Sequence, residues 1–178
     1  LVRQNGNVTV PFIWDGSTLV TLPLMAGFST TALRIKDDAT VIGVGKLASP
    51  PISPTRGFSL HNGAMTIHQP LSGFGSCTAF DMTPERLIIG SSIPENGSVV
   101  PTIWRGEAPT PFEQLLVGTS LSISRLRSAS ATGLILGESL SKAVVLRTVH
   151  SAADVNQDCR VAVADLLAVI FEWGRPNS

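Results

Sequence analysis

The sequence is poor in charged side chains, and the two signs balance. Charged residues make up 15% of the 178 residues, with 13 basic and 13 acidic side chains and a formal net charge of +0. A neutral chain has no electrostatic reason to bind nucleic acid or an acidic membrane. No apolar run approaches the roughly 20 residues that a transmembrane helix needs. The sequence therefore predicts neither a nucleic-acid partner nor a membrane span.

Motifs for catalysis and redox chemistry are also scarce. The three histidines, His61, His68 and His150, lie in no HxH or HExxH motif, and we interpret them as ordinary surface or strand residues. No G-x-S-x-G motif occurs. Cys77 and Cys159 form no CxxC pair, so a disulfide and two free thiols both stay open. The chain as it stands is predicted to be non-enzymatic.

Glycine and proline, by contrast, are frequent, at 16 and 12 residues. They separate short apolar or β-branched runs, which is typical of β-rich proteins. The first 48 residues contain four such runs bounded by turn residues: Val8 to Trp14, Thr18 to Leu24, Thr30 to Lys36 and Thr40 to Leu47. We therefore expect an all-β fold with four strands in this stretch.

The same pattern recurs with a period of 47 residues. The dipeptides Pro23-Leu24, Thr31-Ala32 and Ile42-Gly43 return as Pro70-Leu71, Thr78-Ala79 and Ile89-Gly90, and a third copy closes at Gly137. This predicts three four-stranded units at about 8–48, 57–93 and 99–140, followed by an extra strand at 142–148.

Four antiparallel strands in about 40 to 50 residues are typical of β-propeller blades. An open β-solenoid or a sandwich is the alternative. Propellers usually have 4 to 8 blades, and the chain begins at Leu1 without an initiator Met or a signal segment. We therefore expect a fragment from which blades are missing; the alternative is that the extra strand at 142–148 completes a shared blade. Enzyme activity of a full-length protein stays open.

The runs Pro11-Phe-Ile-Trp14-Asp-Gly16 and Asp37-Asp-Ala-Thr-Val-Ile-Gly43 resemble the HAF-type extracellular repeats of bacterial surface and secreted proteins. The resemblance covers residues 1–148, although the second unit lacks the Trp. It implies a β-propeller-like domain over residues 1–150 and an extracellular or cell-surface location. Trp14 and Trp104 occupy equivalent repeat positions, so we expect both in the blade core; a sugar-stacking platform, with carbohydrate as partner, is the alternative.

The tail, residues 151–178, has a different pattern. Calcium prefers six to eight oxygen ligands, which an EF-hand loop supplies from positions 1, 3, 5, 7 and 12. Counted from the first aspartate, the predicted ligands are Asp154, Asn156, Asp158, the backbone carbonyl of Arg160, and Asp165. Apolar residues then recur at helical spacing up to Trp173, and Gly174 ends the predicted helix. The alternative is an acidic turn that caps a helix without calcium.

Residues 153–174 resemble the type I dockerin repeat, in which a D-x-N-x-D-G-x-V-x-x-x-D loop leads into a D-L-L-x-x-I-x-x-W-G helix. The resemblance implies bound Ca2+ and attachment to a cohesin-like or cell-surface protein. Two features depart from it. Cys159 stands where the family has Gly, which predicts weaker binding because that turn requires a positive φ. Only one repeat is present, whereas a cohesin-binding dockerin pairs two.

Together these patterns predict a non-enzymatic secreted or surface β-repeat protein whose calcium-binding tail attaches it or stabilises its C-terminus. Two alternatives stay open. One is a non-catalytic part of a polysaccharide-degrading (glycoside hydrolase) system docked through the tail. The other is a purely structural repeat without calcium.

Overall fold

The computed structural model describes the backbone in five stretches: residues 2–4, 8–47, 54–116, 121–139 and 142–147. The chain divides into two compact units, Leu1–Leu146 and Arg147–Ser178. All of the described residues belong to the first unit, apart from Arg147. The predicted calcium loop and helix of the tail lie outside the described residues.

The described residues are all-β, as predicted, with 15 strands and one short 3-10 helix, Phe112–Leu115. In chain order the strands are β1 (Val2–Gln4), β2 (Val8–Val10), β3 (Phe12–Trp14), β4 (Leu19–Thr21), β5 (Phe28–Ile35), β6 (Val41–Leu47), β7 (Thr55–His61), β8 (Ala64–His68), β9 (Ser76–Met82), β10 (Leu87–Ile93), β11 (Val100–Arg105), β12 (Ala108–Pro111), β13 (Arg125–Ala129), β14 (Leu134–Ser139) and β15 (Lys142–Arg147).

Within each sheet the strands follow one another in chain order. The first sheet is the hairpin β3-β4, the second sheet is β5-β6-β7-β8, the third sheet is β9-β10-β11-β12, and the fourth sheet is β13-β14-β15. A separate hairpin joins β1 to β2. The part of the chain that the structure describes contains several small antiparallel sheets and no closed barrel or propeller ring.

The sheets are offset by half a period from the units marked in the sequence. The second sheet takes β5 and β6 from the unit 8–48 and β7 and β8 from the unit 57–93, because β6 pairs with β7 in the register Val41↔Leu60. The third sheet crosses the next unit boundary in the same way through β10 and β11. A 47-residue period looks the same wherever it is cut, so only strand pairing determines where a sheet begins.

One irregularity recurs in the first strand of each larger sheet. The register shift leaves Leu33, Phe80 and Arg127 unpaired, and these positions are 47 residues apart. In each sheet the residue before the extra one pairs with a glycine: Gly43, Gly90 and Gly137. The extra residue brings a first-strand carbonyl over this glycine, where a Cβ atom has little or no room.

Replacing Gly90 by alanine is expected to lower the free energy of unfolding by about 2 kcal/mol, within the range for overpacking a core. The new Cβ would overlap the Thr78 carbonyl oxygen and lie 2.9 Å from the Trp104 ring. Gly137→Ala is the matched control, since its Cβ would lie 3.0 Å from the Arg125 carbonyl, and we expect a cost below about 1 kcal/mol. Urea unfolding followed by circular dichroism measures both, and equal costs would contradict the steric explanation.

Three buried apolar clusters lie between successive sheets. The cluster between the first and second sheets contains Leu22, Met25, Val41, Phe58 and Leu60. The cluster between the second and third contains Ile42, Cys77, Ala79, Met82, Ile88 and Trp104. The cluster at the third and fourth contains Leu87, Ile89, Ile103, Phe112, Ile123, Leu126, Ala129 and Ile135. Adjacent residues of one strand thus enter opposite clusters, which explains why these strands are continuous apolar runs.

Candidate functional site

The predicted calcium ligands Asp154, Asn156, Asp158, Arg160 and Asp165 lie outside the described residues, so the site stays a prediction from the sequence. His150 and Cys159 lie there as well. Within the described stretches, no group of three or more His, Cys, Asp or Glu side chains lies together in a way that could hold a metal ion.

The two tryptophans have opposite environments. Trp104 is 0% exposed, and its indole Nε1 donates a hydrogen bond of 2.6 Å to the Gln69 carbonyl oxygen. Trp14 is 57% exposed. The core prediction is therefore confirmed for Trp104 and wrong for Trp14. Trp104 lies on β11, which has a paired strand on each side in a four-stranded sheet, and that sheet packs against its neighbour. Trp14 lies on the two-stranded hairpin β3-β4.

A concave groove lies between the first sheet and β5, with a volume of about 280 Å³. Its wall is mostly apolar and includes Trp14, Leu33 and Ile35, all exposed, and Arg34 as its one charged side chain. Grooves of this composition accommodate apolar rings or packed side chains. The sequence did not predict this groove, because it depends on which strands leave a face uncovered.

His68 is an internal structural residue. It is 1% exposed, its Nδ1 lies 3.1 Å from the Gly106 carbonyl oxygen, and its Nε2 lies 3.1 Å from Ser59 Oγ. Since a carbonyl can only accept, Nδ1 carries the proton and Nε2 accepts from the serine hydroxyl. Burial lowers the pKa of His68 to about 4, partly opposed by the bond to Gly106. The side chain is therefore neutral at pH 7 and packs beside Trp104, with ring centroids 5.7 Å apart.

Cys77 is a free, buried thiol on β9. Its Sγ donates to the His68 carbonyl oxygen at 3.1 Å and accepts from the Gly57 amide at 3.5 Å. Burial raises the pKa of this thiol, which suppresses the reactive thiolate. Cys77 thus serves packing between the second and third sheets.

A surface cluster of polar side chains joins the turns of the second and third sheets. Arg86 donates to Asp38 Oδ2 at 3.0 Å and to His61 Nε2 at 3.1 Å, while Thr40 Oγ1 lies 2.9 Å from His61 Nδ1. A guanidinium only donates, so His61 Nε2 accepts this hydrogen bond. Hydrogen bonds from the Thr40 side chain and backbone lower the pKa of Asp38, with a smaller contribution from the positive charge of Arg86. The cluster connects two sheets at the surface.

A part-buried ion pair, in which Asp81 is the buried partner, connects three sheets. Lys36, which follows β5, lies with Nζ 3.0 Å from Asp81 Oδ1 on β9 and 3.3 Å from the Ala129 carbonyl oxygen on β13. Asp81 Oδ2 accepts the Ala129 amide at 2.8 Å, and Oδ1 accepts the Met82 amide at 2.9 Å. The only sequence signal for it is an acidic residue within the apolar β9 run. We assign this pair a structural role.

No family model, curated protein or solved structure matches this chain. The resemblances to HAF-type repeats and to the dockerin repeat therefore remain predictions. No helix within residues 2–4, 8–47, 54–116, 121–139 and 142–147 has the length and apolar character needed to cross a membrane.

Proposed function

We propose that the chain is a non-enzymatic, extracellular or surface-displayed β-repeat protein whose tail binds one calcium ion and serves attachment or stabilisation. The observation that carries the proposal is the tail sequence from Asp154 to Asp165, which has an oxygen ligand at each of the EF-hand positions 1, 3, 5, 7 and 12. The loop has Cys159 in place of the turn glycine, which suits a weak site in a medium with millimolar calcium.

The β-repeat part supports a binding or structural role over a catalytic one. Two of its buried ionisable side chains hold neighbouring sheets together: Asp81 pairs with Lys36, and His68 bonds to the Gly106 carbonyl. Sheets of four strands in chain order, packed in sequence, also support the proposal that the array is part of a β-propeller.

Calorimetric titration of the full chain with calcium tests the tail. We expect one ion to bind, and we expect binding to be lost in Asp154→Ala and in Asp158→Ala, because each removes a carboxylate ligand. Asp37→Ala is the control, since it removes an exposed carboxylate on the β5–β6 turn. Absence of binding at about 10 mM calcium, tenfold above the weak end of extracellular sites, would leave the acidic helix cap as the explanation.

A pull-down against cohesin-type modules separates attachment from stabilisation. Capture that requires calcium and is lost in Asp154→Ala would support docking to a scaffold, including one that carries polysaccharide hydrolases. Calcium binding without capture, together with a calcium-dependent rise in melting temperature, would assign the tail to stabilisation.

A further inference from the structure

We propose that this chain associates head to tail with a second copy of itself. The fourth sheet of one copy packs against the first sheet and β5 of the next. We call the two surfaces the leading face, represented by Trp14, Leu33 and Ile35, and the trailing face, represented by Leu134, Leu136 and Val145. All six side chains are exposed apolar or aromatic residues.

The leading face is identified by comparing one position of the 47-residue repeat in its three copies. Ile35, Met82 and Ala129 are 47 residues apart. Each pairs with a residue at the start of the next strand, namely Val41, Ile88 and Ile135. Met82 and Ala129 are 6% and 8% exposed, because each packs into the cluster shared with the preceding sheet. Ile35 is 55% exposed. The first copy of this position thus lacks the cover that the other two have.

The trailing face is identified in the same way by Ile42, Ile89 and Leu136. Ile42 and Ile89 are both 0% exposed and pack toward the following sheet, whereas Leu136 is 39% exposed. The preceding residue of each strand, which lies on the opposite face of the sheet, is buried in all three sheets: Val41, Ile88 and Ile135 are 2%, 3% and 4% exposed. Among these strand residues, only Leu136, on the outer face of the fourth sheet, is exposed.

The internal boundaries show what covers such faces. Between the second and third sheets, trailing residue Ile42 and leading residue Met82 share one cluster. Between the third and fourth sheets, Ile89 and Ala129 share the next. Inside the chain, therefore, the trailing face of one sheet packs against the leading face of the next sheet. A second copy of the chain supplies such a surface, with apolar Leu136 at the repeat position of Ile42 and Ile89.

The contact is between two different faces, so it is heterologous and not two-fold symmetric. Heterologous contacts build rings when the rotation closes and open chains when it does not. A copy with one face blocked can therefore take part in a single contact only. This property distinguishes head-to-tail packing from leading-on-leading contact and from general aggregation of apolar patches.

Sedimentation velocity on two blocked variants of the full chain tests the proposal. Ile35→Lys blocks the leading face and Leu136→Lys blocks the trailing face. Wild-type protein is expected to grow in mass with concentration. Each variant alone is expected to stay at the mass of one chain, 18.8 kDa. An equimolar mixture of the two is expected to form a complex of twice that mass and none larger, since only one compatible pair of faces remains.

Val99→Lys is the matched control, because Val99 is also 39% exposed but lies in the loop between β10 and β11, away from both faces. This variant is expected to associate as the wild type does, and circular dichroism checks that all three variants fold. A wild-type chain that stays monomeric at every concentration would overturn the proposal. So would dimerisation of Leu136→Lys alone, because that requires contact between two leading faces.

Discussion

Replacing Asp81 by alanine is expected to lower the free energy of unfolding by about 3 kcal/mol, the lower end of the range for breaking a buried ion pair, because the Asp81 side chain is only 4% exposed but that of Lys36 is 21% exposed. Asp81 is 3% exposed, and the change leaves the Lys36 ammonium and the Ala129 amide without the carboxylate that they contact. Because these groups belong to three different sheets, the loss weakens the packing of the whole array. Urea unfolding at constant pH measures the effect.

Glu138→Ala is the control for this prediction. Glu138 pairs with Arg127 at 2.7 Å, but the two side chains are 35% and 49% exposed, so we expect a cost of about 0–1 kcal/mol. A second variant, Lys36→Met in the Asp81→Ala background, is expected to recover part of the loss because it removes the unpaired, partly buried charge of Lys36. Equal costs for Asp81→Ala and Glu138→Ala would show that the pair has no special structural role.

The second large effect is a loss of stability in mild acid caused by His68. An unfolded histidine has a pKa near 6.5, whereas burial lowers the pKa of His68 to about 4. Between these values the unfolded chain binds one more proton than the native chain, so stability falls as the pH falls through this window. From pH 7 to about pH 4.5 the expected loss is about 2.5 kcal/mol.

The difference between the wild type and His68→Gln isolates this contribution. The variant is expected to be less stable at pH 7, because it alters the bonds to Gly106 and Ser59, but to lack the loss between pH 6.5 and 4. Asp15 and Asp38 do not interfere in this window: their pKa values are lowered from 3.8 by hydrogen bonds, chiefly from Thr18 and Thr40, so their contributions are lost only at lower pH. The same pH dependence in both proteins would contradict the assignment.

Local patterns in the sequence were sufficient for the class of structure. Strands predicted at Thr30 to Lys36 and Thr40 to Leu47 are observed as Phe28–Ile35 and Val41–Leu47, because β-branched runs between turns determine strand positions locally. The 47-residue period likewise reappears as a repeated register shift opposite Gly43, Gly90 and Gly137. The calcium loop of the tail is also a local pattern, and it stays a prediction.

Contacts between residues distant in the chain could not be predicted in this way. Lys36 meets Asp81, and His68 is enclosed beside Trp104, only because separate sheets pack against one another. Charge alone does not predict that Asp81 is buried beside Lys36, since most Lys and Asp side chains lie in water.

The sequence by itself thus determined an all-β chain of repeated strands, since strand propensity, turn residues and period are local properties. Tertiary structure decided where each sheet begins, because β6 and β10 pair across the unit boundaries. It also decided which equivalent residues are buried: Trp14 and Ile35 are exposed while Trp104 and Met82 are covered. The physical reason is that burial depends on the neighbouring sheet, which covers Met82 and Trp104 but leaves Ile35 and Trp14 exposed.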